Sequence, residues 1–248
     1  GTQRLRDVIN KNINEEDIIN STNMLFRGGW TNVKLYFMIG LPTETMDDVC
    51  GIADLAQKVL EVYFAIPKEE RAKQINITVS TSSFVPKPFT PFQWASMHDP
   101  EDYIARAKVV NDTVKEQLNR KSIKYNWHEA DVTVLEGVLA RGDRKVGNVI
   151  RTVYERGGIF DAWSEYFDYQ RWLDAFAECG VDMDFYTKRE RSLDEVFPWD
   201  FIDTGVTKEF LKREWQNAME ENVTPNCRMR CSGCGAAQFK TGVCMAER

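Results

Sequence analysis

Val33-Lys34-Leu35-Tyr36-Phe37-Met38-Ile39-Gly40-Leu41-Pro42-Thr43-Glu44-Thr45 reads as a strand, a tight turn and the start of a helix. Val33, Leu35, Phe37 and Ile39 alternate with Lys34, Tyr36 and Met38, the period-two pattern of a strand rich in apolar residues. Gly40 stands where the backbone must approach something closely, and Pro42 where the turn must be fixed. Glu44 sits just before a helix N-terminus, where a carboxylate is electrostatically favoured. Thr45 and Asp48 have capping-box spacing, with Asp in place of the usual Glu. The helix beyond places Val49, Ile52, Ala53, Ala56, Val59, Leu60 and Tyr63 on one face.

The same alternation continues outward. Asn14 with Asp17 begins a helix that runs to about Phe26 and stops at Gly28-Gly29. A second strand at 75–84 carries the β-branched run Ile77-Thr78-Val79. Asp99-Pro100 opens a helix with Ile104, Ala107, Val114 and Leu118 along one stripe, and a short third strand follows at 123–127. Strands alternating with helices of this length imply a parallel sheet with right-handed crossovers. Chemistry in such sheets collects beyond the strands' C-terminal ends, here in the loops 39–45 and 84–94. From about Glu129 the strand signal gives way to helix. The aromatics Phe160, Trp163, Tyr166, Phe167, Tyr169, Trp172 and Phe176 read as a helical cap packing against the barrel side rather than a surface that stacks bases.

Composition narrows the classes. The 248 residues carry 32 Lys+Arg against 38 Asp+Glu, a net charge of -6, which argues against a dedicated nucleic-acid binder but allows a local basic patch. A hydrophobic fraction of 43% with 28% charged residues excludes wholesale disorder. The best apolar run, residues 35–39, is strand-sized, and residues 1–7 form no signal region, so a cytoplasmic protein without a membrane partner is expected. Asp143, between Arg141 and Arg144, reads as a member of a buried ion-pair network rather than a catalytic acid.

Six cysteines are unevenly placed. Cys50 and Cys179 stand alone and read as packing residues. Cys227, Cys231 and Cys234 have x3 and x2 spacing that can converge on one ion, with Cys244 returning as a fourth ligand. All-sulfur coordination suits structural zinc or an auxiliary iron–sulfur cluster, and ligand identity does not decide between them.

Three segments together resemble the latter half of the radical S-adenosylmethionine (radical SAM) barrel, especially its methylthiotransferase-like and cobalamin-binding branches. Residues 37–44 (Phe-Met-Ile-Gly-Leu-Pro-Thr-Glu) are similar to the family's GxIxGxxE-type segment, with Phe37 in place of the first Gly. Residues 84–91 (Phe-Val-Pro-Lys-Pro-Phe-Thr-Pro) are similar to its Tyr-Ser-Pro-Arg-Pro-Gly-Thr-Pro segment. The opening Gly1-Thr2-Gln3-Arg4 through Ile9-Asn10-Lys11 resembles its Gly-Ser-x-Arg … Met-Asn-Arg stretch, with Lys11 replacing an Arg. Residues 135–144, 160–163 and the cysteine tail look like the C-terminal extension of an uncharacterised cobalamin-binding branch of iron–sulfur oxidoreductases.

The resemblance implies an α/β fold: a partial (β/α) radical SAM-type barrel at 1–128, a mainly helical extension at 129–222 and a Cys-rich metal-binding tail at 223–248. It implies an enzyme whose [4Fe-4S] cluster cleaves SAM to a 5′-deoxyadenosyl radical, with cobalamin in the full-length protein. The cluster ligands, in a Cys-x3-Cys-x2-Cys motif, are expected upstream on a missing N-terminal half, so this piece alone is expected to be inactive. Thr2 and Lys11 would face the SAM ribose and carboxylate, with Lys11 making a single-point contact where Arg would be bidentate. Ile39 and Gly40 would line the adenine side, Glu44 would secure the turn, and Phe84 and Val85 would offer backbone and apolar contacts to adenine. The substrate stays open, with RNA among the candidates. Two other readings are a zinc-stabilised RNA-binding or interaction module, using the aromatics with Arg228, Arg230, Lys240 and Arg248, and a complete non-radical barrel enzyme.

Overall fold

The computed structural model describes residues 1–239. In chain order its helices and strands are α1 Gln3–Val8, α2 Glu15–Arg27, β1 Asn32–Ile39, α3 Met46–Ala65, β2 Asn76–Ser83, α4 Pro100–Glu116, β3 Ile123–Trp127, α5 Ala130–Arg141, α6 Arg144–Glu155, α7 Tyr169–Glu178, α8 Met183–Thr187 and α9 Lys208–Met219. They divide into two compact units: residues 1–84, 101–128 and those from 205 onward, and residues 85–100 with 129–204.

The first unit is mixed α/β around a parallel three-stranded sheet in the order β1-β2-β3. Asn32 pairs with Asn76 and Ile39 with Ser83, while β3 enters at Ile77↔Ile123. Both expected capping boxes form, Asn14 with Asp17 on α2 and Thr45 with Asp48 on α3. Every residue expected on the inward face of α3 is buried, from Val49 to Tyr63. On α4 the expected stripe is corrected at two of its four positions. Tyr103, Ala107, Val110 and Val114 are buried, whereas Ile104 and Leu118 are 57% and 72% exposed. Tyr103 takes the inward position because its hydroxyl donates to the Phe84 carbonyl at 2.9 Å, so an aromatic ring is buried with its polar tip satisfied.

The second unit is helical, with Val138, Val149, Trp172, Ala175 and Phe176 in its core. The aromatic run splits. Trp172 and Phe176, on α7, are buried, while Phe160, Trp163 and Tyr166 lie 54–57% exposed in the turns before it. Phe167, just before α7, packs partly buried against that core. Asp143 also corrects the expectation of an ion-pair network. It caps α6, accepting from the Lys145 N–H at 2.8 Å, and takes the Tyr186 hydroxyl at 3.0 Å. The unpaired N–H groups at a helix start are nearer and better aimed than a flanking guanidinium. No helix among the described residues is long and apolar enough to cross a membrane.

Candidate functional site

Two features of the first unit build the candidate site: the turn after β1 and a cavity along the outer edge of that strand. β1 and β2 end in step, with Ile39 opposite Ser83 and the Phe84 N–H donating to the Ile39 carbonyl at 2.8 Å. Gly40 then takes φ 80°, a conformation natural to glycine. Its N–H donates to Glu44 Oε1 at 2.7 Å, folding the carboxylate back on the strand end. Arg106 of α4 donates its Nε–H to the same oxygen at 3.0 Å. The Glu44 side chain is 1% exposed, and its Oε2 is buried with no hydrogen-bond partner. Burial raises the Glu44 carboxyl above its ordinary value, against the opposing pull of the Gly40 amide and Arg106.

Thr43 is strained. Its φ of 66° is left-handed, where a β-branched side chain is disfavoured. Arg4 holds it there, donating to the Thr43 carbonyl at 2.8 Å and its hydroxyl at 3.1 Å. Arg4 also pairs with Asp48, as does the Thr2 hydroxyl, and reaches Glu221 at 2.9 Å. Asp48 thereby joins the starts of α1 and α3 to the strained turn.

A cavity of about 430 Å³ is lined by Lys11, Arg6, Leu41 and the consecutive residues Lys34 to Met38. Successive strand residues point to opposite faces, so a cavity lined by five in a row follows the strand's edge. That edge pairs with no strand among the described residues. Lys11 is exposed at the rim, and its ammonium has no partner among the described residues.

The expected site residues therefore separate. Lys11 lines the cavity, whereas Ile39, Gly40 and Glu44 form the adjoining turn. The Thr2 hydroxyl is committed to Asp48. Phe84 is buried, its N–H given to Ile39 and its carbonyl accepting from Tyr103. Val85 is the first residue of the second unit. Sequence reasoning assigned no role to Arg4 or Arg106. Arg4 carried a signal, because it lies within the opening motif, but nothing local marks an arginine on α4 as the partner of Glu44.

In the tail, Cys227 and Cys231 are exposed and Cys234 is half-buried. Among the described residues no three His, Cys, Asp or Glu side chains gather as a metal would need, and Cys244 lies outside the described residues. The segment is tied to the α9 region by backbone: the Thr207 N–H donates to the Cys234 carbonyl at 2.9 Å, and Arg213 donates to the Ser232 carbonyl. At Gly235, with φ 100°, an added Cβ would lie 2.7 Å from the Gly205 carbonyl oxygen, so only glycine fits. Cys50 and Cys179 accept or share contacts with Thr113 and Thr152 at 3.7 and 3.5 Å, as packing residues do.

No family model matches the chain, and no solved structure matches it. It is similar to an uncharacterized protein of Methanocaldococcus jannaschii, with 28% identity over 181 residues. The match covers 73% of this chain and 37% of that protein, so the chain spans little more than a third of the relative's length.

Proposed function

We propose that this chain is the SAM-holding C-terminal portion of a radical SAM enzyme, its sheet part of a (β/α) barrel and its cluster ligands on other sequence. The observation that carries this reading is the pair of parallel, in-step strand ends, with Glu44 folded onto Gly40. A second observation supports it. Phe89 stands where the resembling segment has Gly, and its φ of 59° is the region that glycine favours.

The residues present fit an amphiphilic ligand bearing a carboxylate. The unpartnered Lys11 ammonium borders a cavity walled mainly by Leu, Ile and aromatic side chains. Glu44 Oε2, buried in the adjoining turn, is an acceptor without a hydrogen-bond donor. Bound to a reduced cluster, SAM supplies radical hydrogen abstraction. In this reading Lys11 neutralises the SAM carboxylate, Glu44 fixes the turn and Gly40 lets the backbone approach. Thr2, expected to face the ribose, donates its hydroxyl to Asp48. Cobalamin, which the resemblance adds for the whole protein, is addressed by no residue assigned here. The free thiols fit a reducing cytoplasmic setting.

Anaerobic SAM binding by the full-length protein tests the reading. Lys11→Ala is expected to weaken it about tenfold, the loss of one charge-assisted contact. Failure of the full-length protein to bind SAM, or affinity untouched by Lys11→Ala, would overturn it. For the tail, Cys227, Cys231 and Cys234, with Cys244, are proposed to hold zinc or an auxiliary cluster. Metal analysis and absorption spectra after anaerobic purification should show one centre that Cys231→Ser removes; equal metal content in both proteins counts against the site. At Phe89 the glycine variant is expected to be more stable than the alanine variant by about 1 kcal/mol, reversing the usual order. Urea unfolding of the two variants decides this. The exposed Phe160, Trp163 and Tyr166 favour a second reading, an RNA-binding module, which predicts a salt-sensitive RNA shift.

A further inference from the structure

The opposite end of the sheet carries a second cavity, separate from the turn at Gly40. It opens where the strands begin: Asn32 is the first residue of β1, Asn76 the first of β2, and Lys124 the second of β3. Its volume is about 810 Å³. Four of its twelve lining residues are cationic, Lys68, Arg71, Lys73 and Lys124, and none is acidic. In a chain where 38 acidic residues outnumber 32 basic ones, that segregation is a property of the cavity and not of the composition.

One of the four cations is held in place. Arg71 lies with its guanidinium 5.2 Å from the Tyr63 ring and 4.9 Å from the Phe64 ring, and donates to the Phe64 carbonyl at 3.1 Å. The Tyr63 hydroxyl donates to the Ala72 carbonyl, tying the loop after α3 to the helix end. At the mouth of the sheet the Asn76 side chain donates to Asn32 Oδ1 at 3.3 Å. The loop's acids lie outside the cavity lining. Glu70 is engaged by Arg27 at 4.0 Å, and neither Glu69 nor Glu70 lines the cavity. The ammonium groups of Lys68, Lys73 and Lys124 have no hydrogen-bond or ion-pair partner among the described residues. Like charges gathered in a concavity without counter-charge raise the local anion concentration.

We infer that this cavity binds the phosphate groups of a small phosphorylated molecule. Arg71, pre-set by stacking, supplies the planar fork suited to phosphate oxygens, the three lysines supply point charges, and the Asn side chains supply neutral donors. The concave shape and the net charge of -6 favour a compact anion over a nucleic-acid backbone, which needs an extended basic surface.

The test is titration calorimetry of the intact chain with pyrophosphate, ATP and a single-stranded RNA oligonucleotide, at low and high salt. Pyrophosphate or ATP should bind, more weakly as salt rises, and K73A/K124A should lose at least about tenfold in affinity. The control K115A, a helix-surface lysine paired with Asp112, should bind as the parent does. Circular dichroism checks that K73A/K124A is folded; both lysines are exposed, and neither supports the core. The inference falls if neither small anion binds, if K73A/K124A binds as tightly as the parent, or if RNA alone binds. None of these outcomes bears on SAM binding at the other end of the sheet.

Discussion

Replacing Arg141 by alanine should destabilise the chain by about 3–5 kcal/mol. Its side chain is completely buried, and it donates to the Ala95 carbonyl at 2.8 Å and the Gln93 carbonyl at 3.4 Å. Those carbonyls belong to a segment whose side chains are buried as well. Trp94 is fully buried, and Gln93 Oε1 accepts from Trp199 Nε1 at 2.9 Å and from the Phe89 N–H at 3.2 Å. Alanine would orphan two buried acceptors and leave a void the size of the guanidinium and its stem. Burial, then the nearby Arg191 and Arg189, push the Arg141 pKa down to about 9, which still leaves it charged at neutral pH. Holding that charge is costly, and its Nε has no partner. Arg141→Met, which fills the volume and removes the charge, should therefore lose less than Arg141→Ala. Urea unfolding of the two variants checks both the magnitude and the order. A loss under about 1 kcal/mol for alanine would mean that the carbonyls find water or other donors.

What could be read from the sequence follows the range of the forces involved. The alternation at Val33 to Ile39 and the apolar face of α3 report burial residue by residue, so β1 and α3 were legible. The capping boxes at Asn14 and Thr45 are closed within four residues, and local spacing suffices for them. The same holds for the Gly40–Glu44 turn. The α4 stripe shifted because hydropathy ranks Ile104 above Tyr103, whereas the fold offers a carbonyl to the tyrosine hydroxyl. Asp143 was misread from the signs of its neighbours, when the group nearest its carboxylate is a helix-start N–H. The site's electrostatics were the least legible. Arg106 comes to Glu44 from 62 residues away and Thr2 to Asp48 from 46, and no local pattern encodes either meeting. For the tail, spacing shows only that three sulfurs can meet. Gly233 and Gly235, both at positive φ, set the chain's path between and beyond them.

Asp48→Asn should cost about 3–5 kcal/mol at neutral pH, with a pH dependence that identifies its cause. The carboxylate is nearly buried and accepts from Arg4, from the Thr2 hydroxyl, and from the Thr45 hydroxyl and N–H at 2.8 and 2.9 Å. Burial alone would raise its pKa, but the hydrogen bonds from Arg4, Thr2 and Thr45 overrule it and hold the group well below the usual carboxylate range. Asparagine keeps the shape and removes the charge. If its amide nitrogen faces Arg4 or the Thr45 N–H, donor meets donor; if it faces Thr2, one acceptor is lost there. Because the folded pKa lies below the ordinary 3.8, the native state releases this proton more readily than the unfolded chain. The stabilisation is complete above the unfolded value and is lost as pH falls through it toward the folded value. The deficit of Asp48→Asn should thus be constant from about pH 5 to pH 7 and shrink below about pH 4. Glu44 acts with the opposite sign. Its folded pKa lies above the ordinary 4.5, so its protonation favours the folded state as pH falls toward that window. Comparing the parent with Asp48→Asn at each pH cancels the Glu44 contribution, which both share. A deficit as large at pH 3 as at pH 7 would show that the geometry of the acceptor, not its charge, holds the starts of α1 and α3 together.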